Sequence, residues 1–180
     1  MAQSKDSPQQ SGSAAARPGV NGGRNRRQFY RASLQLRFRI LRPEAGNRVW
    51  AHSEQDLLPN FYSPKEAEIH KARALLAEVP EATVDLSEGG MRVRIEPERD
   101  DLAGLGYGRR TRNKRVRVLL ELDDADDTTL LQLPAWVVRV DQPSQRLRFV
   151  ALAFMDVPAG ISQVLEAFVL RAERRRLRHV

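Results

Sequence analysis

The feature that most constrains this chain is a period-two alternation of apolar and polar residues that appears in five runs. In SLQLRFRIL, Leu34, Leu36, Phe38 and Ile40 alternate with Gln35, Arg37 and Arg39. Successive side chains of a strand point to opposite faces, so this run makes a half-buried strand. Met91, Val93 and Ile95 alternate with Arg92 and Arg94, and Val116, Val118, Leu120 and Leu122 alternate with Arg115, Arg117 and Glu121. After the acidic turn DDADDTT come LLQLPAWVVRV and RLRFVALAF, both rich in the β-branched and aromatic residues that suit a pleated surface. The expected fold is therefore mainly β, a small antiparallel sheet closed into a barrel with aliphatic side chains filling the interior.

Two segments break the alternation. In residues 160–178, Ile161, Val164, Leu165, Phe168 and Ala172 follow helical spacing, which predicts a C-terminal amphipathic helix packed on the barrel. Its arginine-rich end, RAERRRLRHV, complements the negative end of the helix dipole. The second is an insertion over 44–82. Ser63, Pro64 and Glu66 stand there as N-cap, N1 and N3, ahead of an apolar stripe of Ala72, Leu75, Leu76 and Val79. This predicts an inserted helix near 64–79. Residues 1–23 are Ser, Gln, Ala, Gly and Pro without apolar periodicity, a composition expected to form a disordered tail ahead of a domain over 24–180.

Charge sits at the two ends. Residues 1–31 hold six basic side chains against one acidic and residues 160–180 five against two, so 32–159 carries one net negative charge out of a total of +7. A protein built to coat duplex DNA would spread its basic surface over the folded body, so nucleic acid is an unlikely partner on this count. The run Arg109, Arg110, Arg112, Lys114, Arg115 and Arg117 is the exception, yet only Tyr107 stands nearby as a stacking aromatic. It also suits a charged strand edge that discourages sheet-to-sheet association. No apolar run is long enough to cross a bilayer and the N-terminus lacks the apolar stretch of a secretory signal, so we expect no membrane insertion and a cytoplasmic location.

Catalytic and metal chemistry find little support. There is no cysteine, and His52, His70 and His179 lack metal-like spacing; His52 and His70 read as solvent-exposed. Gly104, Gly106 and Gly108 in DLAGLGYGRR lack the Lys of a phosphate loop and read as a flexible hairpin connection. Asp123, Asp124, Asp126 and Asp127 lack a calcium-loop pattern and read as a solvated turn. No nucleophile elbow or triad order is present, so no enzyme, cofactor or metal site is expected.

Two motifs remain. VDLSEGGMRVR holds Asp85, Ser87 and Gly90 in the spacing D-x-S-x-x-G just before an alternating strand. Asp supplies two acceptors, Ser a small donor and acceptor, and Gly a tight turn or close ligand approach. The same residues suit a plain polar turn. Just before the first strand, Arg27 and Arg31 form R-x-x-x-R, preceded by Arg26; Arg171 and Arg175 form another such pair. An arginine-bearing segment entering a barrel can fold over a ligand at its rim, bringing guanidiniums to phosphates or to guanine O6 and N7.

In their order along the chain, NRRQFYRASLQLRFRI, DLSEGGMRVRI, AWVVRVDQPSQRLRFVALAFMDV and the closing amphipathic helix resemble the PilZ domain family, bacterial receptors for cyclic di-GMP. The resemblance runs from about Arg24 to Arg178. It implies a six-stranded antiparallel β-barrel with a C-terminal helix and no catalysis. It also implies that Arg27 and Arg31, with Arg26 beside them, grip phosphate and guanine while Asp85, Ser87 and Gly90 contact the guanine edge. Cyclic di-GMP is a dianion with two guanines, so arginines for charge and stacking and a carboxylate for the guanine N1–H and amine fit it. The implied mechanism is a switch: ligand ties the Arg24–Arg31 linker onto the barrel, and the rearranged surface binds an unidentified protein partner. The sequence departs from the family pattern in two places. About forty residues separate the first strand from the second motif, so the inserted helix is expected to cover the site or serve a partner, and the alternative is a PilZ-like interaction module in which it blocks or replaces nucleotide binding. Ala151 stands in the late strand where glycine is frequent, a difference expected to concern packing rather than ligand.

Overall fold

The computed structural model describes residues 31–43, 48–55, 58, 62–95, 114–124, 127–144 and 147–178. The expected tail over 1–23, Arg26 and Arg27, the 101–110 connection, Arg109, Arg110, Arg112, Asp126 and His179 lie outside the described residues.

The alternating runs become β1 (Ala32–Leu41), β4 (Gly90–Ile95), β5 (Arg115–Asp124), β6 (Asp127–Ser144) and β7 (Leu147–Phe154). Two further strands, β2 (Trp50–Ser53) and β3 (Ala82–Ser87), and two helices, α1 (Glu66–Ala77) and α2 (Ala159–Arg178), complete the elements. All pairings are antiparallel, in the order β2-β6-β5-β1-β3-β4-β7, and β7 also pairs with β6, which closes the sheet. The result is the expected six-stranded barrel, with β2 as an added strand outside the closed ring. Closure depends on the 18-residue length of β6. Its first half lies between β5 and β2, its second half pairs with β7, and a register shift between Val137 and Arg139 marks a bulge on the β7 side.

Alternation places the core. Phe38, Ile40, Val84, Val93, Val118, Leu120, Leu133 and Val150 point inward and are buried, while Arg92 and Arg94 point out. Across one end lies α2, which inserts Ile161, Leu165, Phe168 and Val169 into the same core. Burying side chains of this size contributes about 1.5–3 kcal/mol each.

The insertion over 44–82 is more structured than its sequence pattern indicated. Beyond the expected helix it supplies β2, four residues too short for alternation to stand out. Together they cover the outside of the barrel: Trp50, Ala72 and Leu76 pack on Leu119 and Leu130, the outward members of the doublets Leu119–Leu120 and Leu130–Leu131. Each doublet is buried on both faces because a second layer covers the sheet there.

The start of α1 corrects the expected cap. Ser63, Pro64 and Glu66 are not N-cap, N1 and N3; Lys65 is the N-cap and Glu68 is N3, whose carboxylate accepts the Lys65 backbone N–H at 2.8 Å. Arg48 decides this, because its guanidinium bonds Glu68 at 2.8 Å and the Ser63 carbonyl at 3.4 Å, drawing Glu68 back toward the helix start. The aspartates of the β5–β6 turn are likewise not merely solvated. Asp127 accepts hydrogen bonds from the Ser53 hydroxyl at 2.6 Å and from Thr129 at 3.2 Å. Asp124 holds both Arg171 at 2.5 Å and Arg175 at 2.9 Å, which accounts for that R-x-x-x-R pair as a tie between α2 and the barrel. Of the histidines, His70 is exposed as expected, whereas His52, within β2, is half-buried.

Candidate functional site

The two sequence motifs meet where β1 enters the barrel. Residues 82–87 run as a strand, so the D-x-S-x-x-G spacing spans the end of β3, a two-residue turn at Glu88 and Gly89, and the first residue of β4. The pairing of Ala32 with Leu86 brings the start of β1 beside this turn. Here Arg31, Asp85, Ser87, Gly90 and Arg92 line an open cleft of about 270 Å³, floored by Ala151 and Ala153 and bordered by Val138. Ala151 therefore bears on the cleft as well as on packing, because β7 pairs with β4 directly beneath it.

The motif residues divide by what they do. Ser87 is buried and its hydroxyl donates to the Gly90 carbonyl at 3.0 Å, bracing the turn from within. Gly90 is buried where a Cβ would stand 2.2 Å from the Leu152 carbonyl oxygen, so only glycine allows β4 and β7 to approach this closely. Asp85 differs: it is half-buried, points outward, and no described residue offers it a hydrogen bond or ion pair. Arg31 is exposed and equally without a carboxylate among the described residues. Several other described arginines find one, including Arg37, Arg39, Arg48, Arg73, Arg139 and Arg171. A free guanidinium and a free carboxylate facing one cleft are a donor and an acceptor left available to a ligand.

The turn is also joined to α2. Ser162, in the first turn of the helix, donates to the Glu88 carboxylate, and the Phe154 N–H bonds the Gly89 carbonyl at 3.0 Å. Displacing the turn therefore pulls on α2. The inserted α1 packs against β1 and β5 and contributes nothing to the cleft, so it does not cover the site among the described residues. Sequence reasoning missed Arg92, Val138 and Phe149 as neighbours of the site. Arg92 was legible only as an outward residue of a strand, and nothing local places Phe149 beside it. Of the basic run, Arg115 is stacked over Trp136 at 4.9 Å and Arg117 donates to Gln132 at 3.2 Å. Among the described residues no group of three potential ligands could hold a metal ion, and no helix is long and apolar enough to cross a membrane.

The fold is thus a closed antiparallel barrel, capped by a helix and carrying at one rim a cleft where Arg31 and Asp85 are unpaired among the described residues. The family model of the PilZ domain matches residues 66–171. The chain belongs to the PilZ domain family. Solved structures agree on the fold. An inhibitor of motility from Bacillus subtilis, MotI/DgrA, aligns with TM-score 0.50 and 18% identity over 84% of this chain, which spans 52% of that protein. A protein from Xanthomonas campestris, described as a tetrameric PilZ domain self-assembled through a helical bundle, aligns with TM-score 0.51 and 19% identity over 86% of this chain and 90% of its own. The PilZ domain of YcgR from Escherichia coli, solved with c-di-GMP, aligns at TM-score 0.46 and 13% identity over 84% and 95%, too distant to inform the site. No curated protein matches the chain.

Proposed function

We propose that the protein is a cytoplasmic cyclic di-GMP receptor that acts as an adaptor rather than an enzyme and signals through a protein partner. The observation that carries this reading is the convergence of Arg31 and Asp85, both free of ion pairs among the described residues, on one cleft of a PilZ barrel. Asp85 accepts from the guanine N1–H and exocyclic amine, an edge that a carboxylate matches with two acceptors. Arg31, together with Arg26 and Arg27, meets phosphate and the guanine O6 and N7. Ser87 and Gly90 act by holding the turn in shape, in keeping with the 3.0 Å bond between them.

Ligand drawn onto this cleft folds the arginine segment over the barrel rim. The Glu88–Ser162 bond passes the strain of the turn to α2, so the rearranged surface includes that helix. Nucleic-acid binding is disfavoured, because Arg115 and Arg117 are engaged by Trp136 and Gln132. Isothermal titration of cyclic di-GMP into the full chain tests the reading, with Arg27→Ala/Arg31→Ala and Asp85→Ala alongside. Saturable heat for the wild type that either variant loses is the expected result. No heat and no thermal stabilisation at high ligand overturns it.

A further inference from the structure

Arg92 belongs to neither sequence motif, yet it lines the cleft directly across the β3–β4 ladder from Asp85. Opposite charges at such cross-strand positions ordinarily stabilise one another. Here they do not pair. The Arg92 guanidinium lies instead over the Phe149 ring, 4.4 Å from its centroid. That ring comes from β7, next along the strand face to Ala151, the Cα partner of Arg92. The small side chains of Ala151 and Ala153 leave the space beside the guanidinium open. A guanidinium is planar and has two stacking faces, and Phe149 takes only one of them.

We infer that Arg92 is a stacking contact for a purine base held in the cleft, with Phe149, the guanidinium and the base forming three layers while Asp85 reads the base edge. The inference rests on the cyclic di-GMP reading and adds a division of labour to it. Stacking is indifferent to base identity, because every base has a π-face. Edge recognition discriminates, because a mismatched edge leaves buried polar groups unpaired. Arg92 therefore supplies affinity and Asp85 supplies the choice of guanine.

Titration of the full chain with cyclic di-GMP and with cyclic di-AMP separates these roles. Arg92→Ala is expected to weaken cyclic di-GMP binding by about 5- to 150-fold, the range for loss of one stacked base. The preference for guanine over adenine should survive in that variant, whereas Asp85→Ala should bind cyclic di-GMP no better than cyclic di-AMP. Arg92→Lys should not restore affinity, because an ammonium carries charge without a plane. Phe149→Leu, which removes the platform but keeps apolar bulk, should lose part of it. Wild-type affinity in Arg92→Ala, or full rescue by Arg92→Lys, overturns the stack while the receptor reading stands. A wild-type chain that does not bind cyclic di-GMP overturns the receptor reading and the stack with it. Arg92 is exposed, so Arg92→Ala and Arg92→Lys should melt with the wild type; if Arg92→Ala melts early, Arg92→Lys decides.

Discussion

Gly90→Ala separates the architecture of the motif from its contacts. The added methyl would stand 2.2 Å from the Leu152 carbonyl oxygen and 3.2 Å from the Ala153 Cα, both backbone atoms. Neither can swing aside as a side chain can, so β4 and β7 must part by about 1 Å to restore ordinary contact, more than a ladder hydrogen bond tolerates. Overpacking of this kind costs about 1–3 kcal/mol. Losing one or two hydrogen bonds between β4 and β7 adds about 1 kcal/mol each. The smaller entropy of unfolded alanine returns about 0.4–1 kcal/mol. The net is about 3 kcal/mol, or a fall in melting temperature of about 6–12 °C for a domain of this size. Thermal and urea unfolding followed by circular dichroism measure it. Titration well below the melting point should then show ligand affinity reduced far less than stability. A Gly90→Ala protein that melts with the wild type but no longer binds would refute the reasoning and make the glycine a ligand contact.

The remaining expectations concern the parts around the cleft. Leu76→Ala, which hollows the contact between α1 and the barrel wall, should cost about 2–5 kcal/mol in urea unfolding yet leave nucleotide affinity unchanged, because that wall is not the cleft. Asp124→Asn removes the charge that Arg171 and Arg175 share, and hydrogen exchange should show the C-terminal half of α2 opening more readily while the sheet stays protected. Backbone donation from Lys65 holds the Glu68 carboxyl below the usual carboxylate range, with Arg48 reinforcing it. A depressed pKa adds stability above the unfolded value near 4.5, and that stability is lost as pH falls through the folded value. Because the side chain is 39% exposed, solvent screens the effect, and Glu68→Gln should lower urea stability at pH 7 by less than about 1 kcal/mol and leave it unchanged near pH 2.

Much of the site was legible because its residues are close in sequence. Asp85, Ser87 and Gly90 lie within six positions, and a strand, a turn and a strand suffice to arrange them. Arg31 was legible by its place just before an alternating strand, and the structure does bring it to the same cleft. What spacing did not convey was that Ser87 and Gly90, while lining the cleft, are bonded to each other and that Gly90 is packed on the Leu152 backbone. Arg92, in turn, read as an ordinary outward arginine, since its partner Phe149 lies on β7, a strand distant in sequence that meets β4 only in the folded sheet.

By itself the sequence determined the local decisions: which side chains of each strand face inward, where the alternation gives way to helical spacing, and which polar groups cluster around the β3–β4 turn. Those follow from the two-residue period of a strand and the 3.6-residue period of a helix, which act over a few neighbours. Tertiary structure decided the rest. It set β2 beside β6, bent Glu68 to Arg48, gave Asp124 to two arginines of α2, and laid Arg92 over Phe149 rather than against Asp85. Periodicity settles the face a residue takes but not the strand that will lie next to it, and in a closed barrel that neighbour is chosen by how all six strands fit round one core.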